Sequence, residues 1–124
     1  MTSSASVLVV SPAWDRTTAS ARSLAGADLR VVTAESCYEA RRALAGDPSI
    51  ELVITSLSLS DGNWYSVLES SVVCGDRAAV VVAATEAGER FREVVRARGG
   101  WGVVETQAEL AMLLEAMRGV GMSS

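Results

Sequence analysis

Few residues in this chain can carry chemistry, and their types limit what that chemistry could be. There is no histidine, so no imidazole stands ready to activate a serine or threonine, whose hydroxyls are weak nucleophiles at neutral pH. The two cysteines, Cys37 and Cys74, lie far apart and belong to no CxxC or cysteine-rich cluster; they read as reduced core thiols rather than zinc ligands. Gly99, Gly100 and Gly102 lead into a strand instead of out of one into a helix, so they form a helix stop and tight turn, not a phosphate loop. A nucleophile elbow and a cluster of titratable groups are both missing. Asp61 before Gly62 is ordinary turn chemistry. Asp15 suits the electrostatics of a helix start better than a metal, and Thr55 and Ser56 suit hydroxyls that close a strand end on nearby backbone. Trp14, Trp64 and Trp101 are either half-buried packing or anchors for a partner.

The elements that must position these residues follow from size and pattern. With 124 residues, 49% apolar and 21% charged, the chain can fill one core and solvate one surface, which predicts a single domain over 1–124 with an ordered core from about residue 7 to 118. A net charge of -4 without a basic run argues against direct nucleic-acid binding. The longest apolar run, Ala78 to Ala84, is seven residues, against about 20 for a membrane span. The start of the chain lacks the pattern of a secretory signal. A cytoplasmic protein without membrane contact is expected.

Four short runs rich in β-branched residues read as strands buried on both faces: Val7 to Val10, Leu52 to Ile54, Ala79 to Ala83, and Val103 to Val104 with their neighbours. Leu29 to Thr33 contains Arg30 and suits an edge strand with one wet face. Ser36 followed by Glu39 is a capping box, predicting a helix from about Cys37 to Ala45 that buries Ala40, Ala43 and Leu44. Thr106 and Glu109 repeat the box before Leu110, Leu113, Leu114 and Met117. Phe91, Val94 and Val95 mark an amphipathic helix between Glu86 and Arg98. Ser11 and Pro12 suit the start of a helix reaching about Ala25, and Trp64 to about Val72 a further one. Strand and helix alternating five times predict a parallel sheet with right-handed crossovers and helices on both faces.

The segments VLVVSP from Val7, VVTAESCYEARRAL from Val31, LVITSLSLSDG from Leu52, AVVVAAT from Ala79 and GGWGVVETQ from Gly99 resemble, in order, the strand and loop segments of bacterial response-regulator receiver domains. The resemblance covers nearly the whole chain. It implies a flavodoxin-like, doubly wound α/β fold: a three-layer α/β/α sandwich around a five-stranded parallel sheet of order 2-1-3-4-5, with its working surface at the carboxyl ends of the strands.

The resemblance also implies a degenerate site. The phosphorylatable aspartate of the family falls on Ser56, and the acidic pair that helps hold magnesium falls on Ser11 and Pro12. Neither a hydroxyl nor a proline ring offers the carboxylate oxygens that magnesium prefers. The family's hydroxyl after the fourth strand falls on Ala84, or on Thr85 with a shift of one. Its lysine after the fifth strand falls on Thr106, and its aromatic switch residue on Val103. On this reading the chain is a pseudo-receiver, not an enzyme. It would act in or beside a two-component phosphorelay by binding another protein, such as a kinase, a regulator or an output domain, or by forming a homodimer, without a cofactor. The expected partner surface runs from about Glu86 to Arg118 and includes Trp101, Phe91 and Trp64. Two alternatives stand beside it: a small enzyme or nucleotide-binding protein of the same fold class, and a receiver phosphorylated at Asp61.

Overall fold

The computed structural model describes residues 5–11, 29–75, 78–84, 88–105, 109 and 112. Its centre is a five-stranded, wholly parallel sheet of β1 (Ala5–Val10), β2 (Leu29–Ala34), β3 (Ile50–Ser56), β6 (Ala79–Ala83) and β7 (Gly102–Val104), in spatial order β2-β1-β3-β6-β7. Counted along the sheet strands alone, this is the order 2-1-3-4-5, and the fold is flavodoxin-like.

Three of the four continuous apolar runs, in β1, β3 and β6, occupy the middle of the sheet, since only a strand covered on both faces can be apolar at every position. The fourth, Val103 to Val104 in β7, reads in the same way and instead forms the edge opposite β2. Leu8, Val10, Val53, Val80 and Val82 face one side, where they pack with Ala40, Leu44, Trp64, Val67, Leu68 and Val95. Val7, Val9, Leu52, Ile54 and Val81 form a second buried cluster. The edge position expected for β2 is observed. Arg30 and Thr33 are exposed, and Arg30 reaches Asp47 across 3.2 Å.

Three helices are described: α1 (Cys37–Gly46), α2 (Trp64–Val73) and α3 (Glu89–Ala97). Ser36 caps α1, its Oγ accepting from the Glu39 amide at 3.1 Å, while Glu39 Oε1 accepts from the Glu35 amide at 3.1 Å. Helix α1 buries Ala40 and Leu44, with Ala43 only half-buried. Helix α2 is capped by Asn63, whose Oδ1 accepts from Tyr65 and Ser66 amides at 2.9 and 3.3 Å. The helices predicted from Ser11 to Ala25 and after Thr106 lie outside the described residues, apart from Glu109 and Met112. No described helix is long and apolar enough to cross a membrane.

Two details depart from expectation. The segment between β3 and α2 contains a small antiparallel hairpin, β4 (Ser58–Leu59) with β5 (Gly62–Asn63), turning at Ser60 and Asp61. Strands of two residues leave no hydrophobic period to read. The cysteines, expected in the core, sit half-buried near helix ends instead.

Candidate functional site

The carboxyl edge of the sheet is assembled from consecutive strand ends. Ala34, Val10, Thr55, Val82 and Val103 lie side by side in register across the five strands. One residue further on, Ser56 pairs with Ala83 and Ala83 with Val104. Ser11 prolongs β1 toward the same edge, its amide donating to the Ala34 carbonyl at 2.9 Å, and Ala84 continues β6, its amide donating to the Val104 carbonyl at 3.0 Å.

The hydroxyls here sit low in the sheet. Ser11 is 4% exposed and Thr55 fully buried, with Ser56 half-buried above. Thr55 Oγ1 donates to the Ser56 carbonyl at 3.0 Å, which is the backbone-closing role anticipated for a hydroxyl at a strand end. The central part of the edge is thus lined by Ser11, Thr55, Ser56, Ala83 and Ala84, all uncharged. Among the described residues no three His, Cys, Asp or Glu side chains come together as a metal-binding group. Pro12, Asp15, Trp14, Thr85 and Thr106 fall outside the described residues. Val103 is buried in the middle of β7, and the first residue past that strand is Glu105.

Among the described residues, charge gathers instead at two places beside this floor. At the β7 side, the Arg92 guanidinium of α3 is paired with Glu105, lies 3.6 Å from Glu109, and donates to the Val103 carbonyl at 3.2 Å. Glu105, foremost, raises the Arg92 pKa further above its already high value.

At the other side, Asp61 spans from the hairpin to α1. Its Oδ1 accepts from the Cys37 amide at 2.8 Å and its Oδ2 from the Tyr38 amide at 3.0 Å. With Ser36 holding the Glu39 amide, the first three amides of α1 are all satisfied. The hydrogen bonds from Cys37, then Tyr38, hold the Asp61 carboxyl below the ordinary carboxylate range. The neighbouring Cys37 thiol is pushed up, first by burial and then by Asp61, so it stays protonated and unreactive at neutral pH. A Cβ on Gly62 would lie 2.8 Å from Ser66 Oγ and 2.9 Å from Cys37 Sγ, so glycine is what lets the hairpin come this close. Local capping rules could not reveal Asp61 in this role, because it lies 24 residues from the amide it caps.

A consequence follows for acidity. Asp61→Ala should lower the melting temperature at neutral pH. Because the folded-state pKa is depressed, the stabilisation is fully present above the unfolded carboxylate value of about 4 and is lost as pH falls through the folded value. Parent and variant melts followed by circular dichroism should therefore differ at pH 7 and converge in strong acid. Identical melts at pH 7 would remove Asp61 from the support of α1.

Of the three aromatics assigned to a partner surface, the structure withdraws one. Trp64 is only 8% exposed and packs edge-on against Tyr65 and Phe91, with ring centroids 5.7 and 6.0 Å away. It begins α2 directly under α3, where a ring of that size fills the space between two helices and the sheet. Phe91 is partly buried against the same cluster. Trp101 stands apart at 58% exposure, held by its amide on the Val80 carbonyl at 2.7 Å. Val94 of α3 is also exposed.

No family model matches the sequence, and no curated protein matches it. Solved structures do match by fold. The signal receiver domain of an HD domain-containing protein from Pseudomonas fluorescens superposes with a TM-score of 0.80 at 13% identity, covering 98% of this chain and 100% of that one. A CheY-like response regulator receiver domain protein from Methanospirillum hungatei gives 0.80 at 12% identity, with 98% of each chain covered. A response regulator receiver domain protein from Clostridium thermocellum gives 0.74 at 18% identity, covering 90% of this chain and 92% of the other. The chain shares the fold of receiver domains, and at these identities the likeness is one of fold.

Proposed function

We propose that this chain is a pseudo-receiver: a receiver-like domain, spanning 1–124, that works in or beside a two-component phosphorelay by binding another protein, with neither an aspartyl phosphate nor magnesium. The observation that carries the reading is the position of Ser56. It ends β3, the central strand of the sheet, where receivers keep their phosphoacceptor, and its described neighbours Ser11, Thr55, Ala83 and Ala84 are uncharged. A hydroxyl there is not ionised at neutral pH, and the described residues of the floor offer magnesium no carboxylate to exchange for its water.

The surface offered to a partner is the exposed side of α3 together with the start of β7, centred on Trp101 and Val94. A large exposed aromatic on a rigid strand start is a good anchor, since little entropy is lost when it is covered. Asp61 is not a substitute acceptor on this reading, because both carboxylate oxygens already receive α1 amides.

Incubation with acetyl phosphate and magnesium, followed by intact mass measurement, tests the proposal. No phosphoryl adduct, whether a labile acyl phosphate or an acid-stable ester, is expected on the parent protein. An adduct that disappears in Asp61→Asn, or in Ser56→Ala, would overturn it.

A further inference from the structure

We infer that Arg92 is a permanent latch that binds α3, the end of β7 and Glu109 into one unit without any chemical modification, and so fixes the backbone on which Trp101 and Val94 are displayed. The inference rests on how many separate pieces of chain one guanidinium joins, and it stands whether or not the proposed function does.

Arg92 belongs to the first turn and a half of α3. Its Nη1 donates to the Val103 carbonyl at 3.2 Å, while Nη2 is hydrogen-bonded to Glu105 Oε2 and lies 3.6 Å from Glu109 Oε2. Glu109 in turn accepts the Glu105 amide through Oε1 at 2.8 Å. The contacts form a closed ring: helix to strand, strand end to residue 109, and residue 109 back to helix.

The Val103 carbonyl explains why the ring has to be there. Carbonyls of successive strand residues point to opposite sides. The Val104 carbonyl faces β6, where it accepts from Ala84, so the Val103 carbonyl faces the open side of β7. An unpaired carbonyl on a strand edge is a site for unwanted strand addition or for water, and Arg92 occupies it. A planar guanidinium with several donors in fixed directions can serve a carbonyl and a carboxylate at once, whereas an ammonium on a flexible stem would serve them in turn. Arg92, Glu105 and Glu109 are partly shielded from solvent, with side-chain exposures of 24%, 26% and 40%. That shielding makes the charge-assisted bonds stronger and less easily screened than surface pairs.

Native-state amide exchange measured by NMR on the full chain tests the latch. In Arg92→Gln, the amides of α3 and of Val103 and Val104 should exchange about 10-fold faster or more, while those of Ala40 to Leu44 in α1 stay within about 2-fold of the parent. Glu105→Gln should show the same regional pattern to a smaller degree, and should carry the comparison if Arg92→Gln does not fold. Arg92→Gln combined with Glu105→Gln should be no faster than the single Arg92 change, because both remove the same ring. Arg92→Lys should restore only part of the protection. Uniform acceleration across α1 and α3, or unchanged exchange in α3, would overturn the inference.

Discussion

Replacing Trp64 with alanine is expected to lower stability by about 3–5 kcal/mol, the range for removing a large aromatic from a core. Trp101→Ala should change it by less than about 1 kcal/mol. The two tryptophans differ in burial and not in chemistry. Trp64 packs edge-on against Tyr65 and Phe91 at the junction of α2, α3 and the sheet, and Tyr65 carries the Arg98 guanidinium 4.8 Å from its ring centroid. Deleting Trp64 therefore opens a void and unseats the contact between two helices. Deleting Trp101 exposes little that was covered, and its backbone bond to Val80 survives the change. Urea titrations followed by circular dichroism should show a large fall in midpoint for Trp64→Ala, with the slope unchanged. A small shift for Trp64→Ala would mean that α2 and α3 do not depend on that ring. In the proposed function the contrast reverses, since only Trp101→Ala should impair partner binding while leaving the fold intact.

How far this division could be seen in the sequence depends on which interactions are local. Val7 to Val10, Leu52 to Ile54 and Ala79 to Ala83 announce themselves as central strands, because a strand buried on both faces cannot afford polar alternation. Arg30 likewise marks β2 as an edge. Ser36 and Glu39 place the start of α1 to the residue. What sequence could not supply were contacts made across the fold. Trp64 and Trp101 look alike at the level of composition, and only the packing of α2 on the core, with the Phe91 ring edge-on to it, buries one of them. Asp61 was legible as a turn residue, yet its work is done on the amides of Cys37 and Tyr38 at the far end of another element. Arg92 fits an exposed position in a helical pattern. Nothing near it in sequence reveals that β7 ends within reach of its guanidinium.

The neutral floor around Ser56 and the charged groups beside it then have distinct physical roles. In the proposed function the floor has lost the charges that would bind a metal and a phosphoryl group, so it cannot change state by modification. Among the described residues, the charges nearby are engaged in structure: Asp61 at the start of α1, and Arg92 with Glu105 and Glu109 at the end of β7. Under the proposed function such a domain presents one surface continuously, with its control lying in the availability of the partner.

That surface depends on a turn, and the turn should be sensitive to a single methyl group. Gly100→Ala is expected to cost about 1–3 kcal/mol, as overpacking against a fixed neighbour does. The α3 terminus is a paired helix stop in which the Gly99 amide donates to the Arg96 carbonyl at 3.1 Å and the Gly100 amide to the Val95 carbonyl at 2.8 Å. A Cβ on Gly100 would lie 2.5 Å from Val95 Cγ1 and 3.0 Å from the Val95 carbonyl oxygen, and the carbonyl cannot retreat without breaking the stop. Gly99 fails for a different reason. It has φ of +100° with open space around its Cβ position, so Gly99→Ala should cost roughly 1–2 kcal/mol through backbone strain alone. A double-mutant cycle separates the two causes. Val95→Ala should recover part of the loss in Gly100→Ala, because it removes the Cγ1 contact, and should recover none of the loss in Gly99→Ala. Equal rescue of both, or of neither, would show that Val95 does not set the turn from which Trp101 emerges.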